Sequence, residues 1–394
     1  MPIHESLDPV MGTYGRFPIT LIRGKGTEVF DSQGRRYLDF LGGIAVNALG
    51  HAPEEVAKAL HHQVDTLWHV SNLYNIEPQR ELAKLLIENS CFHQAFFCNS
   101  GTEANEAALK LTRLACVKEG RGERSVTVAM KKSFHGRSYG SLSVTGQEVY
   151  QAPFRPLLPE VRFADFGDID SLKACMDEKV AAVILEPLQA EGGLNSPPAG
   201  YLQAVKSLCE KNGSFLIFDE VQVGMGRLGQ LFAYQNYKVE PDIISLAKAL
   251  GGGFPIGAML AKGHLSRHFT PGTHASTFGG NPLATATAGA VVKTLLQPGF
   301  FEKSRERAEQ LAKGLGKLAD EHAQIVTVKG EGMLKGLQFE KPVAPLVKTC
   351  LEAGLLVGSA GGTVLRLAPP LNLSADHLSE GLGILKECIK NTTL

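Results

Sequence analysis

The chain has no CxxC pair. Its seven cysteines, at 91, 98, 116, 175, 209, 350 and 388, are scattered and odd in number. That pattern argues against a disulfide framework and fits reduced thiols in a cytoplasmic protein. There is no excess of either charge, with 40 basic against 40 acidic residues, hence no global field to draw in nucleic acid or an anionic membrane. No stretch approaches the roughly 20 apolar residues of a membrane span. Met1 to Val10 carries Glu5 and Asp8 instead of an apolar core, so no secretory signal is expected. Repeats and low-complexity tracts are also missing. What is present is a chain of 394 residues, 44% of them hydrophobic, long enough for two domains with a shared interface. Work on small molecules is expected.

Residues 27–40 read as two short strands around a Ser-Gln-Gly turn. Apolar spacing is helical over 53–69, 78–89 and 102–118. Short apolar runs follow at 125–130, 180–186, 214–219 and 241–246, with a helical segment at 198–212. Strands that alternate with helices and read as continuous apolar runs predict a mostly parallel sheet covered on both faces. Beyond about residue 280, helices at 282–297, 300–320 and 374–390 accompany strands at 325–328, 333–339 and 364–367. The expected organisation is a large domain over 51–280 and a smaller α+β domain over 281–394, which the N-terminal segment 1–50 joins.

Two apolar strands end in groups that suggest chemistry. SFLIFD delivers Asp219 to the sheet's C-terminal edge, where open α/β sheets bind ligands. DIISLAKALGGG sets Lys248 after the next such strand and just before three glycines. Desolvation between apolar neighbours lowers a lysine's pKa, as Schiff-base formation requires. An aspartate can keep a ring nitrogen protonated so that the ring accepts electrons. Singly, Asp219 reads more readily as a strand–loop cap and Lys248 as an ordinary lysine; together they outline a pyridoxal phosphate site. Asn99-Ser100-Gly101-Thr102-Glu103-Ala104 runs from a turn into a helix, whose free N–H groups and Ser100 hydroxyl suit a phosphate. A plain N-cap with Glu103 in the first turn is the other reading. Phe134-His135-Gly136-Arg137 offers an aromatic ring to stack and an arginine to bind a carboxylate.

NSGTEA, FHGR, EPLQAEGG, FDEVQ, LAKALGGGFPIGA, STFGGNPLA and LRLAPPL occur in the order and approximate spacing of the class III, ω-type aminotransferases. The chain resembles that family from TYGRFP, around Tyr14, to Arg366. The resemblance implies a type I aminotransferase fold with a seven-stranded, mostly parallel sheet, pyridoxal 5'-phosphate as cofactor, and a homodimer with shared active sites. It implies that Lys248 is the Schiff-base lysine and Asp219 the partner of the ring nitrogen. Gln222 would contact the phenolic oxygen, Phe134 would stack on the ring, and Ser100, Gly101 and Thr102 would form the phosphate cup. Thr277 would reach the phosphate of the neighbouring subunit. Arg366 is similar to the arginine for the α-carboxylate of glutamate or 2-oxoglutarate, and Glu191 to the switch that pairs with it while an ω-amine is bound. Arg137 would hold the substrate's other carboxylate, with Tyr14 and Ile44 as further substrate contacts. Ile44 stands where family members acting on free ornithine carry a tyrosine for its α-amine. Its apolar side chain suits an acylated donor, N2-acetylornithine, with 2-oxoglutarate as acceptor. Succinylornithine, N-succinyl-diaminopimelate, ornithine and 4-aminobutyrate are the alternatives. Ala52-Pro53 and Val223 depart from the family's usual His-Pro and Thr or Ser.

Two patterns compete with this reading. Gly224-Met225-Gly226-Arg227-Leu228-Gly229 is a literal GxGxxG after a strand, as in dinucleotide-binding oxidoreductases, although QLFAYQN is a poor helix start. His61, Asp65 and His69 share one helical face at metal-ligand spacing, a pattern that a solvated face also produces. No metal is expected. A catalytically silent homologue with the same fold is the remaining alternative, and loss of Lys248, Asp219 or Arg366 would have marked it.

Overall fold

The computed structural model describes residues 9–394. Its centre is a seven-stranded sheet in the order Gln94–Cys98, Gly257–Ala261, Ile243–Leu246, Phe215–Asp219, Val180–Leu185, Val126–Met130 and Val161–Ala164. Only Gly257–Ala261 runs antiparallel to its neighbours; the other adjacent pairs are parallel. Every residue of Val180–Leu185, Phe215–Asp219 and Ile243–Leu246 is buried. A strand covered on both faces has no solvated side, which is why these segments read as unbroken apolar runs.

Helix Gly101–Lys118 lies against several strands of this sheet, and Pro282–Leu295 packs on Glu54–Val64 and Glu77–Glu88. Two four-stranded sheets complete the fold. One joins Leu21–Lys25, Glu28–Asp31 and Arg36–Asp39 to Leu355–Leu356; the other holds Ile325–Glu331, Leu334–Phe339, Val364–Leu367 and Gly358–Ala360. The early strands therefore pair with a strand more than three hundred residues later. Helices Phe300–Glu321 and Ala375–Asn391 pack together beside these sheets.

Between Arg36–Asp39 and the first long helix the chain makes a left-handed turn. Gly42, Gly43, Ile44 and Ala45 have φ of 58°, 63°, 65° and 63°. L-residues avoid that region because Cβ crowds the following carbonyl, and a β-branched residue there is a true outlier. Asp39 Oδ1 accepts from the N–H groups of Leu41 and Gly42 and pins the entry to the turn. Large apolar side chains are left exposed at Met11, Tyr14, Trp68, Leu73, Tyr74 and Phe278. No helix among the described residues is long and apolar enough to cross a membrane.

Candidate active site

Six of the seven strands of the central sheet point the same way, so the loops that follow them gather at one edge. There Asn99, Phe134, Glu186, Asp219 and Lys248 help to line a cavity of about 410 Å³. Such an edge of an open α/β sheet is where ligands settle.

Asp219 is the last residue of its strand and 4% exposed. Three donors converge on its carboxylate: Asn105 Nδ2 at 2.7 Å, His135 Nδ1 at 2.8 Å and the Val221 N–H at 3.0 Å. A carboxylate only accepts, which places a proton on His135 Nδ1. His135 Nε2 and Asn105 Oδ1 find no partner in the protein. Lys248 begins the 3₁₀ turn Lys248–Leu250 with φ of 46°. A lysine held in that sparsely populated region points to a site that dictates its backbone. Burial brings its amine down to about 8, against the pull of Glu191 in the other direction.

The opposite wall is the start of the Gly101–Lys118 helix. Ser100 caps it, with Oγ accepting from the Glu103 N–H and donating to Glu103 Oε2 at 2.8 Å. Glu103 Oε2 also accepts from the Asn99 N–H at 2.9 Å. The capping reading, with Glu103 in the first turn, is thus correct, and Gly101 and Thr102, the first residues of the helix, line the cavity. Glycine is required nearby: a Cβ on Gly101 would sit 2.8 Å from Val221 Cγ1, and one on Gly136, at φ of 134°, would collide with Thr102 Oγ1.

Behind Gln222, on strand Val364–Leu367, Arg366 is 3% exposed. Its Nη1 donates to Glu191 Oε1 at 2.5 Å and to Gln222 Oε1 at 3.1 Å, while Nε has no partner. Gln222 Nε2 donates to the same Glu191 oxygen at 3.2 Å. Burial alone would raise the Glu191 carboxyl, but Arg366 and Lys248 outweigh it and hold the group below its ordinary range.

Lys248, Asp219, Ser100, Gly101, Thr102, Phe134, Gln222 and Arg137 thus line one cavity, with Glu191 and Arg366 joined to it through Gln222. Arg137 extends over the Tyr150 ring, 3.9 Å from its centroid. Thr277, Tyr14 and Ile44 are not in the wall; Thr277 is exposed, Tyr14 is exposed, and Ile44 is 40% exposed, two residues before the lining residue Val46. Sequence reasoning missed Asn105, His135 and Glu186. Asn105 stands one helical turn after Gly101 on the same face, and the other two lie inside motifs already singled out. Gly224–Gly229 opens no helix: it forms successive turns in which buried Arg227 donates to the Met333 and Pro369 carbonyls. Among the described residues no three His, Cys, Asp or Glu side chains gather as metal ligands, those of His61, Asp65 and His69 included.

The chain is similar to known proteins along nearly its whole length. The Aminotransferase class-III family model matches residues 11–389. An acetylornithine aminotransferase of Clostridium acetobutylicum is 46% identical over 382 residues, covering 97% of this chain and 99% of that protein. The crystal structure of N-acetylornithine aminotransferase from Stenotrophomonas maltophilia superposes with a TM-score of 0.84 at 36% identity, over 96% of this chain and 97% of that one. An ornithine aminotransferase structure from Toxoplasma gondii, with partial occupancy of PLP at its active site, gives a TM-score of 0.92 at 29% identity, over 97% and 92% of the two chains.

Proposed function

This chain belongs to the class-III aminotransferases and has their type I fold, and on that premise we propose that it moves the δ-amino group of N2-acetylornithine to 2-oxoglutarate. The products are N-acetylglutamate 5-semialdehyde and glutamate, a step of arginine biosynthesis. The observation that carries the reading is the meeting of Lys248 and Asp219 in one cavity, at the ends of adjacent parallel strands.

The cavity fits pyridoxal 5'-phosphate. The first N–H groups of an eighteen-residue helix have no partner within it and suit a phosphate. Phe134 supplies a face for a ring, and the carboxylate of Asp219, fixed by three donors, suits a ring nitrogen. Ser100, Gly101 and Thr102 would hold the phosphate, Gln222 the phenolic oxygen and Lys248 the aldehyde carbon. When bound, the cofactor supplies an aldehyde that carries the amino group and a ring that accepts electrons.

Asp219 keeps a proton at the ring nitrogen. Lys248, an amine near 8, is uncharged often enough at neutral pH to take a proton from the substrate carbon beside the transferred amine and to return it. Arg366 binds the α-carboxylate of glutamate or 2-oxoglutarate. While an ω-amine occupies the site, Glu191 neutralises Arg366, which would otherwise be a buried cation without a partner. Arg137 holds the carboxylate at the substrate's far end. Ile44 offers no group to bind a free α-amine, and as substrate contacts Ile44 and Tyr14 would have to be brought in from outside the cavity wall of a single subunit; the names of the relatives support the acylated donor.

A homodimer is part of the proposal. Tyr14, Trp68, Tyr74 and Phe278 are exposed apolar side chains of a kind that a partner subunit would cover, and Thr277 beside Phe278 would reach the partner's phosphate. The seven free thiols suit the cytoplasm.

The test is a panel of ω-amino donors assayed with 2-oxoglutarate. N2-acetylornithine should give the highest kcat/KM, and a preference for ornithine or 4-aminobutyrate would reject the substrate. Lys248→Ala should abolish glutamate formation while the protein stays folded; turnover at the wild-type rate would reject the mechanism.

A further inference from the structure

Glu186 lines the cavity, is 5% exposed, and has no role in the reaction as written above. It follows the buried strand Val180–Leu185, and among the described residues no cation pairs with either oxygen. Its carboxyl instead bridges two loops. Oε2 accepts from the Phe134 N–H at 3.1 Å, and Oε1 accepts from the Ala190 N–H at 3.1 Å.

Ala190 immediately precedes Glu191, whose own backbone is tied to a different sheet: the Gly361 N–H donates to the Glu191 carbonyl at 3.0 Å. Gln189 and Asn195 exchange backbone bonds of 3.0 and 2.9 Å and close the 189–195 loop. Glu191 therefore sits on a short span held at one end by the central sheet, through Glu186, and at the other by the Gly358–Ala360 strand region. Its side chain meets Arg366 at 2.5 Å from that span.

We propose that Glu186 is a positioning residue that fixes the Ala190–Glu191 peptide against the Phe134 wall, so that Glu191 meets and leaves Arg366 from a rigid base. It thereby favours the half-reaction in which the two are paired, a role that rests on the reading of Glu191 given above. Burial and the nearby Asp219 push the Glu186 carboxyl well above its ordinary range, against the two N–H bonds. A fold that keeps an acid there, where an apolar side chain would be easier to bury, is using its two acceptors.

Glu186→Gln keeps the shape but offers a single acceptor oxygen, so one of the two N–H groups loses its partner. In the cofactor-loaded protein, amide exchange over 131–137 or 186–195 should quicken about tenfold and elsewhere stay unchanged, as expected when one local bond is lost. Single-turnover rates should fall about tenfold with acetylornithine and less than about threefold with glutamate, since only the first needs the Glu191–Arg366 pair. Equal losses in both half-reactions, or unchanged exchange in both segments, overturn the proposal. Glu186→Asp, too short to span both loops, should show the same asymmetry and replaces the first variant if that fails to fold. A wild-type protein that makes no glutamate from any ω-amine would refute the proposed activity, and the exchange measurement would then decide the anchor alone.

Discussion

A lysine buried without a carboxylate in contact destabilises the protein that needs it. The free side chain titrates at 10.5 and Lys248 in the fold at about 8, so between these values the unfolded chain binds a proton that the folded chain does not. Stability therefore rises with pH across that window, and below about 8 the full penalty applies. Lys248→Met should raise the stability of the cofactor-free protein by roughly 3 kcal/mol at neutral pH. The gap should shrink above about pH 8 and close by about pH 10.5. Denaturant unfolding of both proteins across that range measures it, and a gap independent of pH would contradict the burial argument. Lys248 and Asp219 stand out in the sequence because Asp219 ends one continuous apolar strand and Lys248 follows the next by two residues. Asn105, His135 and Glu186 were not, because each acts through hydrogen bonds to residues tens of positions away, and spacing along the chain does not encode such partners.

Elements with strong patterns are found where the sequence put them, among them Gly101–Lys118, Phe215–Asp219 and Ala375–Asn391. The strands Gln94–Cys98 and Gly257–Ala261 went unseen: QAFFC and GAMLA are short, poor in β-branched residues and bounded by glycine or turn residues. The turn at Gly42–Ala45 was equally invisible, since two of its four left-handed residues are ordinary L-residues. Holding Ile44 there costs about 1–2 kcal/mol, which asparagine largely avoids. Ile44→Asn is therefore expected to stabilise the protein by about 1 kcal/mol, read as a higher unfolding midpoint. Activity toward the acylated donor should fall, because strain of this kind is retained where a side chain serves the site. A lower midpoint would show that the turn is not strained.

The whole molecule carries a single tryptophan, and Trp68 is 61% exposed in one subunit. In the proposed dimer its indole is covered. Dilution through the dissociation range should shift its emission to the red, in step with the molar mass measured by sedimentation. Emission that stays constant while the mass halves would place Trp68 outside the interface. The architecture has one further consequence, for biogenesis. Among the described residues, Gln94–Cys98, which leads into the Ser100 cap, pairs on the central sheet only with Gly257–Ala261. Its neighbour is thus some 160 positions downstream by the register Gly257 to Cys98. Contacts so distant along the chain form late. A nascent polypeptide leaving the ribosome is therefore expected to complete its proposed phosphate cradle only after residues 257–261 have emerged, so capture of the proposed cofactor should follow their synthesis.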